Sequence, residues 1–384
     1  MSIQPLQALP IEQLRRRRSV KWRAYPEDVL PLFVAETDYP LAPAVTRVLA
    51  DAVALGDTGY TPYDPGIRDA YAGFARRRFG WELDPSGIRT TGDVIMGVVE
   101  LLRRVVGPGD RVIVTPPVYP PFFEAVPEAG GVLEPVPLIE TDAGFELDLL
   151  GVEAAFAGGA RVILLCNPHN PTGTVHSAPA LRELADIAAG FGAAVISDEI
   201  HAPLTRPGVT YTPFLAASAT AARVGFAVTS ASKAFNLAGL KCALIVTAHE
   251  DTAAVVRRLP YEVHLRTGLF GALAGVAAFS ADSDAWLDSL IAAIGANQLL
   301  LAELLAEHLP AARFRIPDAG YLAWVDLSAL GWGDDPGRRI LAEARVALHR
   351  GPKFGEGGDG HVRINVGCAP EVLTDAVRRI GALL

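Results

Sequence analysis

The sequence predicts an α/β protein with a large domain built on a mostly parallel central sheet and a smaller C-terminal domain of the α+β class. Two observations predict this. Through the middle of the chain, short runs rich in β-branched residues alternate with stretches that have the apolar spacing of helices, as in strands joined by crossover helices. From about residue 283 this alternation stops and one long helical pattern begins, which indicates a second domain.

Five runs in the middle of the chain have the composition of strands in a parallel sheet. They are apolar at consecutive positions, as strands with both faces covered by helices are. Helices are expected at 94–106 and 179–191, with Ser177 as the N-cap of the second and Pro179 near its first turn. The strand candidates are 111–115, 161–166, 193–198, 225–230 and 242–246.

The C-terminal part begins with a helical pattern over 283–309 that would link the two domains. A polar, glycine-rich loop at 351–360, a strand at 361–367 and a closing helix follow. The predicted organisation is an N-terminal segment, 1–44, that packs on the small domain, a large domain, 45–280, and a small domain, 281–384.

The composition is that of a well-packed globular protein. Half of the 384 residues are hydrophobic and a fifth are charged. The net charge of −9 argues against a nucleic-acid partner, so the four arginines at 15–18 are expected to belong to a solvated arm that could lie on another subunit. No apolar run reaches the ~18 residues of a membrane span, and the first residues lack the layout of a signal peptide.

The cysteines and histidines predict neither a disulfide framework nor a metal site. Cys166, Cys242 and Cys368 are far apart in apolar surroundings, which is typical of buried thiols in a reducing compartment. The eight histidines show no metal-binding spacing. We therefore expect a cytoplasmic protein without a bound metal.

Polar side chains follow four of the predicted strands. Ligands of open α/β sheets bind beyond the carboxyl ends of the strands, so these side chains are candidates for a site. Taken singly, each could serve only a turn, a helix cap or the core. In chain order they are Tyr119, Asn170, Asp198, His201, Ser230, Ser232 and Lys233.

Taken together, these residues meet the requirements of pyridoxal 5′-phosphate. A lysine amine can form a Schiff base with the aldehyde of this cofactor, a carboxylate can keep the pyridine nitrogen protonated, and an aromatic face can stack on the ring. The stretch "TTGDVIMGVVELL" at 90–102 places a glycine-bearing turn before a helix, whose free N–H groups suit a phosphate. Lys241 could add a cation.

Five motifs occur in an order and spacing that resemble one enzyme family over nearly the whole chain. They are "SVKWRAYPEDVLPLFVAETDYP" at 19–40, "NPHNPTG" at 167–173, "SDEIH" at 197–201, "SASKAFNLAGLK" at 230–241 and "RINVGC" at 363–368. The sequence resembles fold-type I pyridoxal-phosphate enzymes of the class I/II aminotransferase superfamily, which have the aspartate aminotransferase fold. Within them it is most similar to the MalY/PatB-type cystathionine β-lyases.

The resemblance implies a role for each residue around the cofactor ring. Lys233 would form the Schiff base, and Asp198 would pair with the pyridine nitrogen. His201 would lie near the phenolic oxygen, Tyr119 would stack on the ring, and Asn170 would contact the ring oxygen.

The resemblance also implies how the phosphate is bound within one subunit. Ser230, Ser232 and Lys241 would contact it with their side chains. Val94 and Ile95 would contribute backbone N–H groups.

Two further residues would act at the edges of the site. Tyr60 would reach the phosphate bound by a neighbouring subunit, which implies a homodimer with shared active sites. Arg363 would bind the carboxylate of an amino-acid substrate together with Asn170, because its planar guanidinium suits a bidentate contact.

The activity implied is β-elimination from L-cystathionine or a related cysteine S-conjugate, with Lys233 as the general base. An aminotransferase would use the same lysine, carboxylate and arginine, and the core residues do not separate the two. A regulatory protein that kept the fold without the chemistry is a third alternative. The N-terminal motif and His201 favour the lyase.

Overall fold

The computed structural model describes residues 3–63, 65–142 and 144–384. Its strands are numbered in chain order. They are β1 Leu30–Pro31, β2 Ile88–Thr91, β3 Arg111–Val114, β4 Val132–Pro135, β5 Ile139–Thr141, β6 Gly144–Glu146, β7 Ala160–Cys166, β8 Ala194–Asp198, β9 Gly225–Thr229, β10 Ala243–Val246, β11 Arg313–Phe314, β12 Leu322–Asp326, β13 Val346–Ala347, β14 His349–Arg350 and β15 His361–Asn365.

The α-helices of the described residues are numbered in the same way, and single turns of 3-10 helix lie between several of them. They are α1 Ile11–Leu14, α2 Val20–Arg23, α3 Pro43–Leu55, α4 Ile67–Phe79, α5 Val94–Val105, α6 Pro121–Glu128, α7 Leu149–Ala157, α8 Ala178–Gly190, α9 Ala219–Val224, α10 Glu250–Val256, α11 Tyr261–Leu265, α12 Leu269–Ala278, α13 Asp284–His308, α14 Pro336–Arg339 and α15 Pro370–Gly381.

The central sheet has seven strands in the order β2-β10-β9-β8-β7-β3-β4. Neighbouring strands run parallel, except that β10 is antiparallel to both β2 and β9. The five predicted strands coincide with β3, β7, β8, β9 and β10 to within one residue at each end, and the predicted helices coincide with α5 and α8. The mostly parallel α/β fold class is therefore confirmed.

Both faces of the central sheet are buried, which explains its consecutive apolar residues. Along β3, Val112 and Val114 belong to one hydrophobic core, whereas Ile113 belongs to the core on the opposite face. Helix α5 approaches the sheet closely at Gly97, where a Cβ atom would lie only 3.3 Å from side-chain atoms of Thr91 and Val228. The absence of a side chain at Gly97 thus lets α5 pack directly on the strands.

The C-terminal sheet has four antiparallel strands in the order β11-β12-β15-β14. The predicted long helix is α13, which packs against α15. By length and composition α13 is apolar enough to cross a membrane. Half of its most apolar window is buried inside the fold, however, as is usual for the core helix of a globular domain.

Residues 33–39 form a segment, here called the strap, that crosses from the C-terminal sheet to the central one. The chain enters it from β1, which pairs in parallel with β13. Asn365 donates to the carbonyls of Val34 and Glu36, at 2.7 and 2.6 Å. On the other side, the Asn236 amide both donates to and accepts from the Thr37 backbone, at 3.1 Å each. The strap is therefore held by residues of both sheets, and the boundaries at 44 and 280 stay a prediction.

The arginines at 15–18 are not simply a solvated arm, so that expectation is wrong for two of them. Arg17 donates to the carbonyls of Thr37 and Tyr39, at 3.0 and 3.1 Å. Arg15 donates to the Glu27 carbonyl at 3.0 Å. Both guanidinium groups bind backbone carbonyls of their own chain, and those bound by Arg17 belong to the strap.

A buried ion pair between Lys21 and Asp38 holds the strap against helix α2 of the N-terminal segment. Lys21 Nζ lies 2.8 Å from Asp38 Oδ1, and the two side chains are 0% and 1% exposed. Lys21 also donates to the Glu36 carbonyl at 3.1 Å. Burial raises the pKa of Asp38, and Lys21 acts against that rise. Lys21 is thus the main group that favours the ionised form of this carboxylate.

We expect Lys21→Met to destabilise the protein by about 3–5 kcal/mol, because it leaves the Asp38 carboxylate buried without its partner. The double variant Lys21→Met/Asp38→Asn should recover part of this loss. The control is Glu343→Gln, which removes an exposed i,i+4 partner of Arg339 and should cost less than about 1 kcal/mol. Urea midpoints followed by circular dichroism measure all three. A Lys21→Met midpoint equal to that of the control would contradict the anchoring role.

Candidate active site

A cavity of about 460 Å³ opens at the carboxyl ends of the central strands, between the two sheets. The strap forms one wall through Phe33, Val34 and Ala35. With the exception of Tyr60, the structure brings every predicted site residue to this cavity. They are Val94, Ile95, Tyr119, Asn170, Asp198, His201, Ser230, Ser232, Lys233, Lys241 and Arg363.

Lys233 lies on the turn that follows β9, and its amine faces the cavity. Nζ donates to the Ala35 carbonyl of the strap at 3.1 Å. Removal of the amine from bulk water, with the positive charge of Arg363 as a second cause, lowers the pKa of Lys233 to about 8. A minor fraction of this lysine, but a far larger one than of an ordinary lysine, is therefore uncharged near neutral pH, and a nucleophilic or basic amine must be uncharged.

Asp198 is the last residue of β8 and is buried. One carboxylate oxygen accepts a hydrogen bond from the Ile200 N–H at 3.1 Å. Burial raises the pKa of Asp198 to about 6, against the effects of this hydrogen bond and of Lys233. No basic side chain of the described residues forms an ion pair with it. The site thus offers a buried carboxylate to a cationic ligand atom.

Tyr119 and His201 supply two neutral rings. Burial raises the pKa of Tyr119 to about 12, so its phenol keeps its proton, and the ring packs edge-on against Phe122 at 5.9 Å. Burial lowers the pKa of His201 to about 3. His201 Nδ1 is buried and has no hydrogen-bond partner in the described part of the chain.

The N-terminus of α5 forms the anion-binding end of the cavity. Asp93 caps the helix by accepting from the Met96 N–H at 2.9 Å. The N–H groups of Val94 and Ile95 lie in the first turn, where no intrahelical acceptor exists. Lys241 Nζ lies 2.9 Å from Asp93 Oδ2. The cation is present as predicted, but the sequence did not indicate that it pairs with the capping carboxylate.

Ser230 and Ser232 also line the cavity. Ser230 Oγ donates to the Cys242 carbonyl at 2.6 Å and accepts from the Ser232 N–H at 3.1 Å. Ser232 is only half-buried. Its hydroxyl is thus the more accessible of the two to a ligand.

Arg363, on β15, is buried and projects into the cavity from the C-terminal sheet. Nη1 donates to Asn170 Oδ1 at 2.8 Å, whereas Nη2 donates to the Phe33 carbonyl and to His349 Nδ1 at 3.2 and 2.9 Å. The guanidinium lies 5.1 Å from the Phe354 ring centroid. Burial lowers the pKa of Arg363 to about 10, so the group remains a cation. Nε is buried without a partner among the described residues.

Tyr60 does not join the cavity of its own chain. Its side chain is 93% exposed, on the segment after α3. This placement leaves it available to another subunit, and its role stays a prediction.

Sequence reasoning missed His349 and the strap residues Phe33 and Ala35. His349 lies on a two-residue strand whose local sequence has no recognisable pattern. Its place is set by the pairing of β14 with β15. Phe33 and Ala35 accept hydrogen bonds from Arg363 and Lys233 through their backbone carbonyls. A side-chain motif in the sequence does not indicate contacts of this kind.

The donor set fits pyridoxal 5′-phosphate. An amine of lowered pKa suits its aldehyde, and the Asp198 carboxylate suits a protonated ring nitrogen. His201 lines the same cavity, and the start of α5 suits the phosphate.

Comparisons with known proteins agree with this chemistry. The family model of aminotransferase class I and II matches residues 27–380. A Mycobacterium leprae protein assigned as a cystathionine beta-lyase is 43% identical, over 100% of this chain and 99% of that protein. The cystathionine beta-lyase PatB of Bacillus subtilis is 34% identical, over 96% and 97%. A Corynebacterium diphtheriae structure assigned as a PLP-dependent beta-cystathionase aligns with a TM-score of 0.92 and 35% identity, over 98% of both chains.

We expect Lys233 to react with small aldehydes at a lower pH than an ordinary lysine. Reductive methylation with formaldehyde requires the neutral amine, so the rate at Lys233 should rise with a midpoint near pH 8 and then level off. The methylation rate at the side-chain amine of an Nα-acetyl-lysine reference should keep rising toward the pKa of that amine, about 10.4. Peptide mass spectrometry of the cofactor-free protein measures the rate.

The matched variant is Arg363→Gln, which removes a cation that lowers the pKa of Lys233. Its midpoint should move to higher pH. A wild-type midpoint at the reference value would contradict the lowered pKa.

Proposed function

This chain belongs to the aminotransferase class I and II family, and we propose that it is a pyridoxal-phosphate-dependent carbon–sulfur β-lyase. It cleaves L-cystathionine or a related cysteine S-conjugate to a thiol, pyruvate and ammonia. The observation that carries the proposal is that Lys233, Asp198 and Arg363 face one cavity. The full-length relatives named cystathionine beta-lyase support the choice of reaction.

Residues at the carboxyl ends of the central strands would hold the cofactor. Lys233 would bind its aldehyde carbon, and the Asp198 carboxylate would accept a hydrogen bond from the protonated ring nitrogen. Tyr119 would pack on the ring, while His201 and Asn170 would contact its oxygen. When bound, pyridoxal phosphate supplies an electron sink for the negative charge that develops at the substrate Cα atom.

The start of α5 would hold the phosphate. Its oxygens would be bound by the N–H groups of Val94 and Ile95, the hydroxyls of Ser230 and Ser232, and the Lys241 ammonium. The positive end of the helix dipole adds to this attraction.

Arg363 and Asn170 orient the substrate carboxylate, so that the Cα–H bond points toward Lys233. Once its amine is free and neutral, Lys233 takes the Cα proton as a general base. The electron pair of that bond then forms the Cα–Cβ double bond, and the Cβ–S pair leaves with the sulfur, which is protonated to the thiol. Hydrolysis of the remaining three-carbon unit consumes one water and gives pyruvate and ammonia. Cystathionine yields homocysteine.

The enzyme works as a homodimer with shared active sites. Support comes from the surface around Tyr60, where three more large apolar side chains are exposed, Val53, Leu55 and Tyr63. Several exposed large apolar side chains within one short segment are typical of an interface between subunits. Tyr60 of one subunit would then reach the phosphate bound by the other.

The enzyme acts in the cytoplasm. Its three cysteines are free, as is usual where thiols are kept reduced.

The first experiment mixes the purified, cofactor-loaded protein with L-cystathionine in the absence of any 2-oxo acid. Pyruvate and free thiol should appear continuously and in equal amounts, because β-elimination regenerates the enzyme at every turnover. Lys233→Ala should abolish both products, since no other residue replaces the base. Coupled lactate dehydrogenase and a thiol reagent measure them together.

A different outcome would identify an aminotransferase. In that case, the cofactor absorbance band would change once, without pyruvate or thiol release, and would recover on addition of a 2-oxo acid. The absence of both turnover and a spectral change would favour the regulatory protein.

Shared active sites predict complementation between two inactive variants. Tyr60→Ala and Lys233→Ala chains should each be weakly active or inactive alone. After they are mixed and refolded together, each hybrid dimer has one site with Lys233 of one chain and Tyr60 of the other, both intact. Activity should therefore return to roughly a quarter of the wild-type level. The control, a Tyr60→Ala/Lys233→Ala chain mixed with Lys233→Ala, should stay inactive. Light scattering checks the dimer, and the absence of complementation would place Tyr60 in its own subunit's site or in none.

A further inference from the structure

We propose that His349 is a positioning residue for Arg363. As a neutral imidazole it accepts a hydrogen bond from the guanidinium and thereby fixes the orientation in which Arg363 binds the substrate carboxylate. This inference deepens the proposed function and rests on it only for the identity of the substrate.

The two side chains are neighbours by register. His349 of β14 is directly opposite Arg363 of β15 in the antiparallel pair, and residues in that relation project from the same face of a sheet. Arg363 Nη2 lies 2.9 Å from His349 Nδ1. Phe354 contacts both, with its ring centroid 4.7 Å from that of His349 and 5.1 Å from the guanidinium carbon. The imidazole is thus held in place by packing as well as by the hydrogen bond.

The hydrogen bond defines the protonation state of the imidazole. A guanidinium has only donors, so His349 Nδ1 must carry a lone pair, and the ring proton must be on Nε2. The charged groups that face His349 among the described residues are Arg363, from β15, and Lys353, from the turn after β14. Burial and these two cations lower the pKa of His349 to about 3. His349 therefore stays neutral throughout the physiological pH range.

The other acceptors of Arg363 come from separate elements. Asn170 belongs to the loop after β7, and the Phe33 carbonyl belongs to the strap. Only His349, of these three, is on the same sheet as Arg363. It keeps the guanidinium aimed at the cavity even when the strap or the loop shifts, and its acceptor is a neutral one that does not neutralise the cation. A carboxylate at this position would instead compete with the substrate.

The test compares two variants of His349. Asn can place its Oδ1 atom close to the position of Nδ1, so His349→Asn should keep KM and kcat for a cysteine S-conjugate within about threefold of wild type. Leu has a similar volume and no acceptor. His349→Leu should raise KM about tenfold with kcat within about threefold, since a hydrogen bond to a charged group is lost and the Lys233 chemistry is left in place. Bound cofactor, measured by absorbance, should be equal in all three proteins.

A second readout does not depend on turnover. Calorimetry measures the Kd of 3-(methylsulfanyl)propanoate, which has the carboxylate and the thioether but no amine. His349→Leu should weaken its binding about tenfold, whereas His349→Asn should not. The uncharged 3-(methylsulfanyl)propanamide is the control ligand, and its Kd should be the same for all three proteins. If the wild type lacks lyase activity but this difference persists, the proposed function fails and the role of His349 stands.

The pH dependence of that Kd separates a neutral imidazole from a titrating one. Protonation of His349 would remove the acceptor, so binding would weaken as the pH falls through its pKa. Between pH 5.5 and 7.5 the wild type and His349→Asn should give the same profile.

Three results would overturn the proposal. One is unchanged KM and Kd in His349→Leu, and another is equal impairment in both variants, which would assign the effect to ring packing. The third is a loss of propanoate binding below about pH 6.5 in the wild type alone. Failure of the propanoate to bind the wild type at all would also count against it.

Discussion

The geometry of the site depends on the backbone carbonyls of the strap. Ala35 accepts from Lys233 and from Tyr321, both at 3.1 Å, and Phe33 accepts from Arg363. The lysine comes from the central sheet and the arginine from the C-terminal one, so a single extended segment fixes both ends of the cavity. Both carbonyls thus have donors within the protein, as backbone carbonyls outside regular secondary structure require where water does not reach them. The buried ion pair below the strap keeps those carbonyls in place.

Removal from water is the common cause of the unusual ionisation in this cavity. It lowers the pKa of Lys233 and raises that of Asp198, so the neutral form of each group is more populated near pH 7 than it would be in solution. Arg363 differs from these two groups, because its guanidinium stays charged near neutral pH even with a pKa lowered to about 10. The site therefore combines one permanent cation with two groups whose protonation is adjustable. A permanent cation suits a substrate carboxylate, and adjustable groups suit proton transfer.

Much of the fold and most of the cavity were predictable, because their signals are local. Apolar runs revealed the central strands, and the ends of those strands revealed Tyr119, Asp198 and Lys233. Ser177 accepts from the Ala180 N–H at 3.3 Å, as its N-cap position indicated. What escaped prediction is non-local. His349 reaches Arg363 through strand register, and Arg17 contacts carbonyls 20 and 22 residues away. Neither contact leaves a pattern in its own stretch of sequence.

The strap contributes to the site in two ways. Its carbonyl groups accept hydrogen bonds from Lys233 and Arg363, and its residues Phe33 and Val34 also line the cavity. A carbonyl is common to every amino acid, so substitution at either position alters the shape of the pocket and leaves the acceptor unchanged. Evolution can therefore change which sulfur substituent the pocket accommodates at these two positions without rebuilding the catalytic framework. For the same reason, residues 33 and 34 are a natural place for an engineer to redirect the enzyme.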